Sequence, residues 1–412
     1  MARTGTDRTS QDPTTGRVRP FSGPAVSAPA PFALHTLSPV EIASGWVAGG
    51  PVHSPPTLEH LAPSAAVALE DAVLPSLLRP PCIVEFSGGR DSSVVLATAC
   101  RVARREGLAP PVPFTRLYGG LPEASEDEWQ QLVVDHLGLR DWVRHESTPE
   151  VDLLGPLATD SLRRRGMLWP PLAHTRRTEL ELARGGSLLS GEGGDEVLGP
   201  RRLSLLHQMA ARRVPWSRRA LRNAALTLAP RRVRQPRFAA RLEAALGYEW
   251  LAPDIRSEVI GQLAADAASE PLDWRRAVRA HPYVKGIKAA MDTLAVLAAE
   301  FDVRRSNPLL DDRFLAAVCV EGGRRGFADR TGALCQMFGD RLPRAVLERT
   351  TKAHFNRAVF GHESRAFVAR WNGDGVDPRL VDADALRVAW TAEEPHALTF
   401  TLLQSCWLLH HG

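Results

Sequence analysis

Apolar residues along this chain follow two patterns, short continuous runs and runs with helical spacing. Short, mostly apolar runs predict buried strands at 82–86, 112–118, 141–145 and 187–190. Helical spacing predicts helices at 65–78, 92–105, 126–137 and 178–183, and Gly138 stands where a helix commonly ends. Strands that alternate with helices are typical of an α/β fold, in which helices flank a parallel sheet.

The remainder of the chain divides into regions of different character. Residues 1–31 are rich in Thr, Ser, Pro, Gly and Arg, so we expect a disordered tail. Residues 32–80 are predicted to form a short N-terminal helical segment. We expect 81–412 to form one domain, with its sheet in 81–200 and helices, without a convincing strand, in 201–412.

Composition and charge exclude several classes of function. The 51 Lys and Arg residues against 47 Asp and Glu residues give a net charge of +4, which is too small to indicate a nucleic-acid partner. No apolar run reaches about 18 residues, so we expect no membrane partner. The 5 cysteines are scattered and form no CxxC pair, which argues against a disulfide framework or a zinc site. A reducing cytoplasm is the expected compartment.

The first chemical motif, SGGRDSS at 87–93, lies between a predicted strand and a predicted helix. Its two glycines let backbone N–H groups approach a phosphate chain, and the following helix directs its positive end there. The hydroxyls of Ser87 and Ser92 can donate to phosphate oxygens. Asp91 would repel a phosphate unless a cation such as Mg²⁺ intervenes. The alternative interpretation is an ordinary Gly-Gly turn capped by Ser and Asp.

The second motif, SGEGGDEVLG at 190–199, follows another predicted strand. Its three carboxylates, Glu192, Asp195 and Glu196, would repel one another in a purely structural turn. A bound cation or a bound amine would relieve that repulsion. The alternative interpretation is an acidic loop in solvent.

Together these segments resemble those of a known family. The first is similar to the SGGxDS pyrophosphate loop of the ATP pyrophosphatases, and the second is similar to the SGEGxDE segment of the asparagine synthetase family. The similarity extends over about 74–361, through NPLLD at 307–311 and through LP at 342–343 followed by RTTKAHF at 349–355. It implies an adenine nucleotide alpha-hydrolase-like α/β fold with a largely helical C-terminal part.

The resemblance also implies a nucleotide site, a metal site and two catalytic groups. The positions that match the phosphate loop and the nucleotide contacts are Ser87, Gly88, Gly89, Asp91, Ser92, Gly119, Ser190 and Gly191. Asp91 and Asp195 match the magnesium carboxylates. Glu192 matches the glutamate near the reacting carbonyl, and Lys352 matches the lysine that reaches the α-phosphate and the pyrophosphate. Lys352 is otherwise interpreted as a surface lysine.

The implied reaction is ATP-dependent amide-bond formation, with ATP and Mg²⁺ required. A small-molecule or peptide carboxylate would attack the α-phosphate, pyrophosphate would leave, and an amine would displace AMP from the acyl-adenylate. Glu192 would accept a proton from that amine or hold the amine in place.

The sequence departs from the family at two places. Arg90 stands where an apolar residue is usual. Its side chain could contact phosphate or simply point to solvent, and we expect it to point to solvent. Ala2 stands where related bacterial enzymes carry the glutaminase nucleophile, a cysteine, so we expect the glutaminase domain to be missing.

The amine therefore comes from one of two alternative sources. It is ammonia, supplied by a separate glutaminase partner, or it belongs to the substrate, as in the β-lactam synthetases and lasso-peptide cyclases, where a peptide-carrier protein is a further partner. The arginine-dense stretch 201–241 could line a groove for a peptide, although a helical face in solvent is the simpler interpretation.

Two rival interpretations belong to other classes. A tRNA-thiolating pyrophosphatase would need a catalytic cysteine pair and an RNA-binding domain, and neither is visible. A non-catalytic nucleotide-binding partner protein would have no need for the intact Asp91, Glu192, Asp195 and Lys352.

Overall fold

The structure is a computed structural model that describes residues 34–58, 60–118, 126–147, 150–351 and 356–411. Five parallel strands form one sheet in the spatial order β3-β2-β1-β4-β5. The strands are β1 (Cys82–Glu85), β2 (Val112–Leu117), β3 (Val143–Glu146), β4 (Ser187–Leu189) and β5 (Arg304–Ser306). This is the α/β architecture, a parallel sheet flanked by helices, that the sequence predicts.

Most of the described chain is helical. The helices that surround the sheet or precede it are α1 (Pro39–Ser44), α2 (Ala65–Leu77), α3 (Arg90–Glu106), α4 (Asp127–Leu137), α5 (Pro156–Arg165), α6 (Arg177–Leu182) and α7 (Gly194–Leu198). The helices that follow are α8 (Ser204–Ala210), α9 (Arg218–Leu228), α10 (Arg231–Leu246), α11 (Pro253–Ser269), α12 (Trp274–Ala280), α13 (Lys285–Ala299), α14 (Asp312–Gly322), α15 (Arg330–Phe338), α16 (Arg344–Glu348), α17 (Asn356–Val359), α18 (His362–Arg370), α19 (Ala383–Thr391) and α20 (Phe400–His411). None of these helices is long and apolar enough to cross a bilayer.

The four predicted strands and the four predicted helices are confirmed, with boundaries that differ by a few residues. Gly138 ends α4 in the left-handed conformation, with φ of 61°. The expectation that no strand follows residue 200 is wrong, because β5 pairs with β4 at the edge of the sheet. The signal was missed because β5 is 3 residues long and carries two arginines, so it has no apolar run.

Alternating side chains of the strands fill two cores, one on each face of the sheet. Val84 and Leu189 lie in the core that α2, α3 and α14 cover. Ile83 and Leu188 face the other way, toward a core that includes residues of α6 and α13. Burial on both faces is the arrangement expected of a parallel sheet.

The strand order places the functional end of the sheet. The chain crosses from β1 to β2 on one side and reaches β4 on the other, so a topological switch point lies between β1 and β4. In parallel sheets a crevice opens at this point, beyond the carboxyl ends of the strands. Both sequence motifs follow these two strands and therefore lie at this crevice.

Candidate active site

A cavity of about 640 Å³ opens at the switch point. The first motif contributes Ser87, Gly89, Asp91 and Ser92 to its wall, and the second motif contributes Ser190, Gly191, Glu192 and Asp195. The structure thus brings together in one cavity residues that are about a hundred positions apart in sequence. The volume lies in the usual range for a small-molecule site, roughly 300–1,000 Å³.

The first motif folds as a tight turn into α3. Gly88 has φ of 80°, a left-handed conformation that side chains with a Cβ adopt at a cost, and an added Cβ would meet Gln130 Cγ at 2.7 Å. Gly89 is the N-cap residue, so α3 begins at Arg90, two residues earlier than the sequence predicts. The Ser87 backbone N–H donates to Ser92 Oγ at 3.3 Å, which closes the turn.

The two motifs touch through their backbones. A Cβ added to Gly191 would lie 2.6 Å from the backbone nitrogen of Ser92 and 2.8 Å from its Cα atom. A Cβ on Gly194 would overlap the carboxylate of Asp91. A larger residue at Gly191 would therefore separate the two loops, and one at Gly194 would displace the carboxylate of Asp91.

The carboxylates of Asp91 and Asp195 converge on one cation of the protein itself, the guanidinium of Arg330. Arg330 Nη2 lies 2.5 Å from each oxygen of Asp91, and Nη1 donates to Asp195 Oδ1. Burial raises the pKa of Asp91, and the charge and hydrogen bonds of Arg330 partly offset that rise. A desolvated carboxylate of this kind needs a cationic partner.

The same pair of carboxylates fits a magnesium ion. Mg²⁺ prefers oxygen ligands and is commonly held by one or two carboxylates together with phosphate oxygens of the substrate. Among the described residues no group of three or more His, Cys, Asp or Glu side chains could hold a metal, so an ion between Asp91 and Asp195 would take its remaining ligands from water or from phosphate oxygens. Arg330 shows that a positive charge is accommodated between Asp91 and Asp195.

Glu192 lies in the cavity wall between two arginines. Its Oε2 accepts from Arg305 Nη2 at 2.8 Å, and its Oε1 accepts from Arg176 Nη2 at 3.2 Å. Burial alone would raise the pKa of Glu192, but Arg305 and Arg176 hold it below the usual value. Glu192 is therefore a carboxylate at neutral pH and a weak base.

A buried carboxylate lies close to both of the arginines that contact Glu192. Glu85, at the end of β1, lies 3.3 Å from Arg176 and 3.9 Å from Arg305. Burial raises the pKa of Glu85 against the pull of both arginines. The side chain of Arg305 is only 4% exposed, so these ion pairs fix its guanidinium beneath Glu192.

Arg349 holds the backbone of the first loop in place. Its Nη1 donates to the carbonyl oxygen of Gly88 at 2.8 Å, and its Nη2 lies 2.6 Å from Glu126 Oε1. Both side chains of this pair are buried. The glycine turn is thus tied to a residue 261 positions away in sequence.

Arg90 does not simply point to solvent, and the sequence-based expectation is wrong here. The residue is half-buried in the cavity wall, and its Nη1 donates to Thr331 Oγ1 at 3.1 Å. Burial lowers the pKa of Arg90, and so does the nearby charge of Arg330. Thr331, 241 positions further along the chain, lies beside Arg90 and accepts this hydrogen bond.

Some of the sequence-predicted positions are not in the wall. Gly88 contributes through its backbone, as described above, whereas Gly119 and Lys352 lie outside the described residues. None of the arginines between 201 and 241 lines the cavity. Nine of them, Arg212, Arg213, Arg218, Arg219, Arg222, Arg231, Arg232, Arg237 and Arg241, are exposed on the surface.

Sequence reasoning missed the arginines of the site. Arg176 and Arg330 occur in a chain with many arginines, and no local pattern sets them apart. Arg305 carries the one usable signal, since it precedes the NPLLD segment that the sequence comparison with the family had already singled out.

The fold and the paired loops define a class of protein, the adenine nucleotide alpha-hydrolase-like α/β proteins. Within it, the family model described as asparagine synthase matches residues 66–408, most of the chain. The protein belongs to the asparagine synthase family. No curated protein is similar enough to count as a match. Family membership identifies a ligase-type enzyme, an ATP-using synthetase that forms amide bonds.

Proposed function

We propose that this protein forms an amide bond by adenylating a carboxylate, with ATP and Mg²⁺ as the required cofactors. The observation that carries the proposal is the convergence of two glycine-rich loops on one cavity, where Asp91 and Asp195 meet around a single positive charge. Acidic pairs that enclose a cation beside a phosphate loop suit the transfer of a nucleotidyl group.

In the first step, an oxygen of the substrate carboxylate attacks the α-phosphorus of ATP, and the bond from that phosphorus to pyrophosphate breaks. The backbone of the first loop and the hydroxyls of Ser87 and Ser92 face the cavity, where they can donate to the departing pyrophosphate. Mg²⁺ held by Asp91 and Asp195 would offset negative charge on the phosphates. Lys352 is proposed for the same task on its sequence position alone.

In the second step, an amine attacks the acyl carbon, AMP leaves, and the proton released by the amine passes to water. The sequence leaves two roles open for Glu192, proton acceptor and holder of the amine. Both of its oxygens are paired with arginines, and its pKa is lowered, so it is a poor proton acceptor. These contacts support the second role, in which the charge of Glu192 holds the amine beside the acyl group.

The amine is ammonia or a second group of the same substrate. With ammonia and aspartate the product is asparagine, and a separate glutaminase would be the partner. With an amine on the substrate the product is a β-lactam or a macrolactam, and a peptide-carrier protein would be the partner. We propose a cytoplasmic enzyme in both cases, since all five cysteines are free thiols.

Pyrophosphate release distinguishes these possibilities. The protein is incubated with ATP, Mg²⁺ and either aspartate plus ammonium or a panel of amino-acid and peptide carboxylates that carry their own amine. Release with aspartate and ammonium alone would exclude the cyclase. Release with an amine-bearing substrate alone would exclude asparagine formation. The absence of both release and ATP–pyrophosphate exchange across the panel would favour the non-catalytic binding protein.

A further inference from the structure

One contact at the site has no role in the proposed reaction: Arg330 bridges the two carboxylates assigned to the metal. It reaches them from the helical part of the chain, 239 positions from Asp91 and 135 from Asp195. The side chain is 16% exposed, so the guanidinium is largely withdrawn from water. A guanidinium stays protonated at every physiological pH, so this positive charge is permanent.

The start of α15 fixes the backbone of Arg330 on both sides. The carboxylate of Asp329 caps the helix by accepting from the Gly332 backbone N–H at 2.6 Å, and it is also paired with Arg213. On the other side, Thr331 accepts a hydrogen bond from Arg90. These contacts hold the residues on either side of Arg330. For the carboxylates to be released, the long side chain of Arg330 would have to move while its neighbours stay in place.

A metal ion and this guanidinium compete for the same oxygens. Both oxygens of Asp91 and one oxygen of Asp195 are engaged by Arg330, and these are the atoms that a divalent cation would bind. A metal ion that carries no phosphate would also be repelled by the fixed positive charge of Arg330. A polyphosphate changes this balance because it offers Arg330 new acceptors and brings negative charge to the site.

We propose that Arg330 closes the metal site in the nucleotide-free protein, so that the divalent ion binds together with the polyphosphate and not before it. The inference rests on the proposed function for the identity of the nucleotide, whereas Mn²⁺ binding in the absence of nucleotide tests the contact of Arg330 by itself.

The test measures Mn²⁺ binding without nucleotide, by the electron paramagnetic resonance signal of the free ion. The Arg330→Met variant should bind Mn²⁺ at least about tenfold more tightly than the wild type, because the competing cation is gone. Arg344→Met is the matched control, since Arg344 is 83% exposed, is paired with Glu348 and does not line the cavity. Its affinity for Mn²⁺ should equal that of the wild type.

A second substitution tests whether the oxygens of Asp91 account for the gain in Mn²⁺ affinity. Adding Asp91→Asn to Arg330→Met should remove the gain, since the oxygens that hold the ion would be lost. Arg330→Lys serves if the methionine variant fails to fold, because lysine keeps the charge but lacks the fork that engages three oxygens. It should give a smaller gain, about threefold. An unchanged Mn²⁺ affinity in folded Arg330→Met or Arg330→Lys would overturn the inference.

The Mn²⁺-binding test of Arg330 and the pyrophosphate-release test of the proposed function can fail independently. A gain of Mn²⁺ affinity in a protein that releases no pyrophosphate with any carboxylate would leave the role of Arg330 standing and refute the synthetase. An unchanged affinity in a protein that does release pyrophosphate would refute the role of Arg330 alone.

Discussion

The backbone contact between the two loops can be tested by Gly191→Ala. The added Cβ would lie 2.6 Å from the Ser92 backbone nitrogen, whereas ordinary contact begins at 3.4 Å, so the loops must separate by about 0.8 Å. Neither atom belongs to a flexible side chain that could move aside. Overpacking of this kind costs about 1–3 kcal/mol of stability.

The same displacement should weaken nucleotide binding. Moving the loops by most of an ångström removes at least one charge-assisted hydrogen bond to phosphate, worth about 1.5–3 kcal/mol, or roughly 10- to 150-fold in affinity. Isothermal titration calorimetry with ATP and Mg²⁺ measures this loss. Thermal unfolding measures the cost in stability.

Gly261→Ala is the matched control for this substitution. Gly261 lies within α11, and nothing lies within 4 Å of an added Cβ. Because alanine favours a helix over glycine by about 1 kcal/mol, this variant should unfold at a slightly higher temperature and bind ATP as the wild type does. If Gly191→Ala also bound ATP with unchanged affinity and kept its unfolding temperature, the two loops would not be in contact.

Three further predictions concern catalysis, the support of the loop and pH. Asp91→Ala and Lys352→Ala should each abolish pyrophosphate release and leave the far-UV circular dichroism spectrum unchanged; wild-type turnover in either would mean that the site is misplaced. Arg349→Met breaks the buried pair with Glu126 and the hydrogen bond to the Gly88 carbonyl, so urea unfolding should show a loss of about 3–5 kcal/mol, and an unchanged midpoint would contradict the buried pair. Burial lowers the pKa of His174 from 6.5 to about 4, so the unfolded chain takes up the proton first as the pH falls. The free energy of unfolding should therefore fall by up to about 3 kcal/mol between pH 6.5 and 4, and His174→Gln should flatten that slope; an equal slope in both proteins would refute it.

Local patterns were enough to predict the elements that carry the motifs. The run 82–86 and the glycines after it specify a strand, a turn and a helix within a few positions, so both the element and its chemistry could be read from neighbouring residues. The segment 187–196 could be read in the same way, as a strand followed by a glycine-rich loop that carries the acidic residues. β5 could not be found in this way, because its strand conformation depends on pairing with β4 and not on its own residues.

The arginines that pair with the site carboxylates could not be predicted from neighbouring residues. Asp91 and Glu192 were found because their motifs name them, but their partners Arg330 and Arg305 come from 239 and 113 positions away. Arg90 was assigned to solvent because its neighbours in sequence give no sign of α15. Its actual environment includes Thr331, which packing of the helical part brings against the first turn of α3.

The sequence alone determined the parallel α/β fold, the two loops and the carboxylates that they carry, since these depend on short-range patterns of apolar residues and glycines. Only the tertiary structure decided which cations face those carboxylates. Ion pairs form between whichever side chains the packing of distant helices brings within a few ångströms, and in a chain with many arginines no local signal marks the ones that will be chosen.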